Sequence, residues 1–196
     1  TDEASVRAAL AACVAKFGAV HGVVNSAGVA TARKVLSRNG RLHDAESFML
    51  TQAVNVGGTF NVLKEAVAVM AKQEPVLGGE RGCIINVASV AAFDGQIGQA
   101  AYAASKGAIV SMTLPVSREL AARGIRCNTV APGIFGTPMM MAMPAEVQAS
   151  LSKTVPFPKR LGAPEGTSIF LRSSVLHSFF RSFVHAFILS FLHSQS

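Results

Sequence analysis

The chain has 196 residues, 50% of them hydrophobic and 15% charged, a balance that excludes intrinsic disorder over most of its length and implies a packed body of one domain, or one and a half. Eighteen Lys and Arg against eleven Asp and Glu give a formal charge of +7, which admits anionic ligands or nucleic acid as partners without demonstrating either. Cys13, Cys83 and Cys127 are odd in number, far apart and without CxxC spacing, so no zinc site or other metal is expected and a reducing compartment is the economical reading. No run reaches the roughly 18 uninterrupted apolar residues of a bilayer span. The start, Thr1-Asp2-Glu3, has neither an initiator Met nor a basic and apolar leader. It reads as a fragment or an incomplete gene model, so the lack of a targeting segment says nothing about compartment.

Residues 4–17 are Ala-rich and helical in pattern, with Gly18 placed as a C-cap glycine. The apolar run at 19–25 breaks at Ser26-Ala27-Gly28, the profile of a buried strand ending in a tight loop. After a polar loop over 33–44, the spacing of Phe48, Val54, Phe60, Leu63 and Val67 predicts a long helix at 45–72, kinked near Gly57-Gly58. Pro75 and Gly78-Gly79 mark a loop, 82–89 reads as a second buried strand, and 100–123 as another long helix stopped by Gly124. Residues 125–131 form a third strand, closed by Pro132-Gly133 because proline cannot continue a central ladder.

Strands separated by helices of this length cannot pair as hairpins, so they are parallel and joined by right-handed crossovers. The predicted core is α/β. Ligands of open parallel sheets sit outside the carboxyl ends of the strands, which places the loops at 25–28, 89–96 and 132–137 on one rim. From about Thr167 the character changes: six of the twelve Phe and eight Ser fall in 168–196, with no acidic residue. Phe179, Phe183, Phe187 and Phe191 recur every four residues, and His177, His185 and His193 every eight. Such a stripe suits a membrane surface or a partner groove, but unrelated coding sequence is the plainer account and is preferred.

Ser89 ends the second strand, Tyr102 is the only tyrosine, and Lys106 comes four residues after it. A Tyr and a Lys four apart share a helix face, one turn apart, so the ammonium is expected to lower the phenol's pKa. A phenol so eased is an acid/base for neutral pH, and Ser89 at the strand tip can hydrogen-bond the substrate oxygen. Together they suit proton transfer at an alcohol or ketone oxygen, and the accompanying hydride needs a nicotinamide cofactor. Each residue also has a plainer reading, as helix surface or strand-end cap. Their conjunction with a strand tip, a glycine-containing loop and a parallel sheet favours chemistry. A serine hydrolase is the competing reading, but Val87-Ala88-Ser89-Val90-Ala91 lacks the G-x-S-x-G elbow.

These residues resemble the short-chain dehydrogenase/reductase family, whose active-site pattern is a Ser followed by Tyr-x-x-x-Lys, here Ser89 and Tyr102-Ala103-Ala104-Ser105-Lys106. Asn25-Ser26-Ala27-Gly28 is similar to that family's N-N-A-G segment, Asn55 matches its helical Asn, and 132–137 matches the segment lining the nicotinamide end of the cofactor. The resemblance covers 1 to about 165. It implies Ser89, Tyr102, Lys106 and Asn55 as catalytic, with Asn55 holding a proton-relay water behind the Lys. It further implies Asn25, Ser26, Ala27, Gly28, Tyr102, Lys106, Pro132, Gly133, Phe135 and Thr137 as contacts of NAD, and Ser89, Gln96 and Tyr102 as contacts of substrate. The segments at 74–82, 91–102 and 155–162 resemble a mitochondrial branch of the family. That branch implies NAD-dependent oxidation of 3-hydroxyacyl-CoA or hydroxysteroids, a homotetramer in the mitochondrial matrix, and a partnership in mitochondrial tRNA processing.

Against that family the chain is expected to form a partial Rossmann-type doubly wound parallel sheet, lacking the first three strands and the last one. The Gly-rich loop and the acidic residue that hold the far half of the dinucleotide are not found before Asn25. Two domains are expected: 1–166 as an incomplete dehydrogenase domain and 167–196 as a Phe/Ser-rich tail. The three remaining strands would then have two unprotected edges. The sequence leaves three functional readings: an NAD-dependent dehydrogenase, a noncatalytic basic subunit in tRNA processing, and an inactive fragment.

Overall fold

The structure, a computed structural model, describes residues 1–164, 166 and 187–189. Helix α1 (Glu3–Phe17) opens on Asp2, whose carboxylate accepts from the backbone N–H groups of Ala4 and Ser5, and closes on Gly18 in the left-handed region at φ 83°. Both ends are thus satisfied locally. Strand β1 (Gly22–Asn25) comes next, buried along its whole length. Asp44 caps α2 (Ala45–Gln52) through the N–H of Ser47. The kink expected near Gly57-Gly58 is a π-turn at Ala53–Gly57, after which α3 (Gly58–Met70) continues. The extra residue of a π-turn shifts the angular position of neighbouring side chains about the helix axis, and here Asn55 is turned into the interior, where it is fully buried.

Strand β2 (Gly82–Val87), helix α4 (Ala100–Ala121) and strand β3 (Ile125–Val130) complete the alternating pattern. The sheet is parallel, with Gly22 beside Cys83 and Gly82 beside Ile125. Both faces of β1 and β2 are covered, which is why those strands read as unbroken apolar runs rather than alternating ones. One cluster joins α1, α3 and the sheet: Leu10 and Cys13 from α1, Leu63, Ala66 and Met70 from α3, Val23, Ile84, Ile125 and Cys127 from the strands. Each of the larger side chains contributes about 1.5–3 kcal/mol when taken fully out of water. Among the described residues no helix is long and apolar enough to cross a membrane.

Two expectations need correction. The sheet has four strands, in the order β3-β2-β1-β4, because β4 (Phe187–Leu189) lies parallel along the free edge of β1 with Phe187 beside Gly22. The unpaired backbone groups of an edge strand are satisfied by any extended apolar segment that reaches them. Phe187 is therefore in a strand and not on a helical stripe; Phe179, Phe183, Phe191 and the three histidines of the tail lie outside the described residues.

The described residues divide into two compact units, 1–131 with 187–189, and 132–164 with 166. The second contains α5 (Pro138–Met141) and α6 (Ala145–Thr154), and within it the Phe135 segment bridges to Gly162.

At the amino end of the sheet, Gln73 holds two strands' approaches together, accepting from the N–H of Val20 and donating to the carbonyls of Val20 and Arg81. Gly124 sits beside this clamp at φ 66°, and a Cβ there would run into the carbonyl oxygen of Gly79. Gly124→Ala is expected to destabilise the fold by about 2 kcal/mol or more, from strain and overlap together; urea unfolding measures it, and a loss below about 0.5 kcal/mol would show that the turn relaxes.

Candidate active site

The carboxyl ends of β1 and β2 are fastened side by side by a buried amide pair, Asn25 Nδ2 donating to Asn86 Oδ1 at 2.9 Å. Asn86 in turn donates to Cys127 Sγ of β3 at 3.6 Å. One residue past Asn86, the carbonyl of Val87 receives Lys106 Nζ at 2.8 Å. Two residues further, Ser89 is extended, its hydroxyl accepting from the N–H of Ala91 at 3.1 Å and lying near enough to the Tyr102 phenol to ease its ionisation. Lys106 Nζ lies 5.6 Å from the centroid of the Tyr102 ring. The strand tip and the first turns of α4 therefore bring Ser89, Tyr102 and Lys106 into one cluster.

The electrostatics differ from the expectation. Burial pushes the Tyr102 phenol above its ordinary range, with Ser89 pulling the other way, and Lys106 is not among the causes of the shift. Burial also brings the Lys106 amine down from 10.5 to about 8. The reason is geometric: Lys106 is only 5% exposed, and its amine sits over the ring, so desolvation of both groups outweighs their mutual effect. In the chain by itself the phenol is thus a weaker acid than a free tyrosine.

Asn55 is fully committed. Its Oδ1 accepts from the N–H of Val29 at 2.8 Å, and its Nδ2 donates to the Val29 carbonyl and to Ser105 Oγ, each at 2.9 Å. Ser105 Oγ donates onward to the carbonyl of Tyr102 at 2.7 Å. Gly28 packs against this group so closely that a Cβ would lie 3.1 Å from Asn55 Oδ1 and 3.7 Å from Lys106 Nζ. The N-N-A-G-like segment, the π-turn and α4 meet there. Ser26 is exposed and Ala27 half-buried beside it, and Gln96 is exposed on the loop after Ser89, its N–H held by Gln99 Oε1.

Pro132, Gly133, Phe135 and Thr137 belong to the second unit. There the backbone of Ile134 and Gly136 pairs with Gly162, and the Thr137 hydroxyl accepts from the N–H of Met140 as the cap of α5. Three contributors went unread in the sequence: Ser105, Asn86 and the Val87 carbonyl. The first is an ordinary small residue inside a helix, the second an amide in an apolar strand, the third backbone. None carries a motif of its own.

A short chain dehydrogenase profile matches residues 1–148. The 3-hydroxyacyl-CoA dehydrogenase type-2 of Homo sapiens is 52% identical over 165 residues, covering 84% of this chain and 63% of the relative. The protein of the same name from Bos taurus is 48% identical over 180 residues, covering 91% and 69%. Against the human relative the chain thus spans a little under two thirds of the length. Among solved structures, the 3-hydroxyacyl-CoA dehydrogenase type-2 of Mycobacterium avium superposes with a TM-score of 0.80 at 34% identity, over 95% of this chain and 70% of that one. An NAD-bound xylitol dehydrogenase superposes with a TM-score of 0.76 at 26% identity, over 89% and 69%.

Lys106 supplies a pH test of the buried cluster. In the folded chain its amine loses its proton near 8, against 10.5 ordinarily, so between those values the unfolded chain binds more protons and stability rises with pH. The buried thiols and Tyr102, all pushed upward by burial, act in the opposite direction. The lysine contribution is therefore the difference between wild type and Lys106→Met. That difference is expected to change by on the order of 2–3 kcal/mol between pH 7 and pH 10.5, in favour of the wild type at high pH, in urea unfolding; parallel curves would place the amine in water.

Proposed function

The chain belongs to the short-chain dehydrogenase family, and from that premise we propose that it oxidises a secondary alcohol, the 3-hydroxyl of an acyl-CoA or the hydroxyl of a steroid, with NAD as hydride acceptor. The single observation that carries this reading is the Ser89–Tyr102–Lys106 cluster at the strand tips. The naming of 52% and 48% identical relatives as 3-hydroxyacyl-CoA dehydrogenases supports the acyl substrate.

The residues fit the nicotinamide-ribose half of such a cofactor. Gly28, packed against Asn55 and Lys106, and the buried Lys106 amine flank the end of β1, where open parallel sheets bind nucleotides. Asn25, Ser26 and Ala27 lead into that position. When bound, the nicotinamide supplies the acceptor for the carbinol hydrogen, transferred with its electron pair. The chain's own groups handle the proton. Tyr102 takes it from the substrate oxygen, which requires the phenolate, and the Ser89 hydroxyl donates to that same oxygen and holds it against the phenol. Lys106 holds positive charge over the ring, and exclusion of water from the occupied site strengthens that support for the phenolate. Asn55 is proposed to anchor the relay behind Lys106, and Gln96 to contact substrate from the rim.

The exposed Met49, Leu50, Phe60 and Leu114 on α2, α3 and α4 fit these helices as subunit contacts, and a homotetramer in the mitochondrial matrix is proposed on the resemblance. Tyr102→Phe is expected to lower kcat/KM for 3-hydroxybutyryl-CoA by a factor on the order of 10²–10⁴, with the melting temperature unchanged, as read by NADH absorbance. Turnover retained in that variant removes Tyr102 from the chemistry. Lys106→Ala is expected to lose turnover and weaken NADH binding together, read by enhancement of NADH fluorescence; wild-type affinity in the variant would take Lys106 out of the cofactor site.

A further inference from the structure

A serine inside a helix commonly turns its hydroxyl back to a carbonyl three or four residues earlier, so the bond from Ser105 to Tyr102 means little alone. What distinguishes Ser105 is its second bond and its surroundings. It is fully buried, and its oxygen accepts from Asn55 Nδ2 while its proton goes to the Tyr102 carbonyl. Asn55 is equally buried and has no spare donor: its oxygen takes the Val29 N–H, and its two N–H donors go to the Val29 carbonyl and to Ser105. The amide and the hydroxyl are therefore satisfied only in this arrangement. Alanine at 105 would leave one Asn55 donor without an acceptor in a site closed to water, and it would release the Tyr102 carbonyl from its side-chain partner.

From this geometry we infer that Ser105 is a positioning residue: its hydroxyl locks the turn of α4 that carries Tyr102 and Lys106 to the π-turn and, through Asn55, to the loop after β1. The chain of contacts runs Val29, Asn55, Ser105, Tyr102, every link between 2.7 and 2.9 Å. Gly28 closes it from the other side, within van der Waals reach of both Asn55 Oδ1 and Lys106 Nζ were it to carry a Cβ. A rotation of α4 that carried Tyr102 away from Ser89 would have to break this line first. The catalytic consequence rests on the dehydrogenase reading, whereas the positioning itself is a property of the folded chain and is testable with no substrate or cofactor.

The composition provides the probe. Tyr102 is the only tyrosine and there is no tryptophan, so intrinsic emission excited near 280 nm reports Tyr102 alone. The experiment measures acrylamide quenching of that emission at pH 7.5 in wild type, Ser105→Ala and Ser105→Thr, with circular dichroism confirming the fold of each. The expected result is a quenching constant raised about two-fold in Ser105→Ala, as the turn opens locally to solvent, and restored toward the wild-type value in Ser105→Thr, which keeps the hydroxyl. An unchanged constant in Ser105→Ala, even with a lower melting temperature, would overturn the inference, because a merely space-filling serine lowers stability without freeing Tyr102. Equal rises in the Ala and Thr variants would also overturn it, by assigning the effect to packing rather than to the hydroxyl. If Ser105→Ala does not fold, Ser105→Cys takes its place under the same criteria. Absence of NADH-linked turnover in wild type would defeat the proposed function and leave this outcome standing, so the two failures are separable.

Discussion

The desolvated amine of Lys106, donating to the carbonyl of the last residue of β2, is the contact on which the geometry of the candidate site depends. A lysine buried to this extent, with no carboxylate among its hydrogen-bond partners in the described residues, is held in place by the surrounding fold. The carbonyl of Val87 is available because β2 has just ended. Position 28 is glycine beside this group, where a Cβ would press on Asn55 Oδ1 at 3.1 Å. The amine stands over the phenol because residues 102 and 106 are one helical turn apart on α4.

That arrangement needs the strand ends to stay in register, and a ladder of buried polar side chains sees to it. Asn25 and Asn86, near the carboxyl ends of β1 and β2, and Cys127, midway along β3, link three neighbouring strands in a sheet whose core is otherwise apolar. Buried amides are expensive unless paired, so a slip of one strand would leave them unsatisfied, which makes the ladder a register device as well as a stabilising one. The same logic holds on the helix side. Asn55 and Ser105 are polar, buried and mutually satisfied, and the π-turn at Ala53–Gly57 is what turns the amide inward. Polar groups thus define where the apolar core stops and the reactive surface begins.

The electrostatic balance has a functional corollary. A raised phenol and a lowered amine are both what burial does to isolated groups, and neither alone suits a base at neutral pH. The short-chain dehydrogenase profile matches residues 1–148, which contain all of Ser89, Tyr102, Lys106 and Asn55, so the residues proposed for acid-base work and the family membership rest on the same stretch. The edge of β1, by contrast, is taken by β4, whose three residues come from beyond that stretch.

The alternation of helices and strands was legible in the sequence because β1 and β2 are short, mostly apolar runs and because Gly18 and Gly124 fall at or just past the ends of α1 and α4. The grouping of Ser89, Tyr102 and Lys106 was legible too, since it needs only one strand tip and one helical turn. Other features have no local signature. That Asn55 faces inward depends on a π-turn, which sequence spacing registers only as a kink. That Ser105 and Asn86 matter depends on what lies across from them, fifty and sixty-one residues away in the chain. That the phenol's pKa goes up and not down depends on how much water the packed helix excludes. That Phe187–Leu189 is a strand depends on an open edge elsewhere. The sequence by itself determined the order of elements and which side chains cluster at the strand tips, because these are set by periodicity and by side-chain chemistry along one segment. Only the tertiary structure decided their protonation, their partners and the edge of the sheet, because burial and long-range hydrogen bonds exist only once distant segments have met.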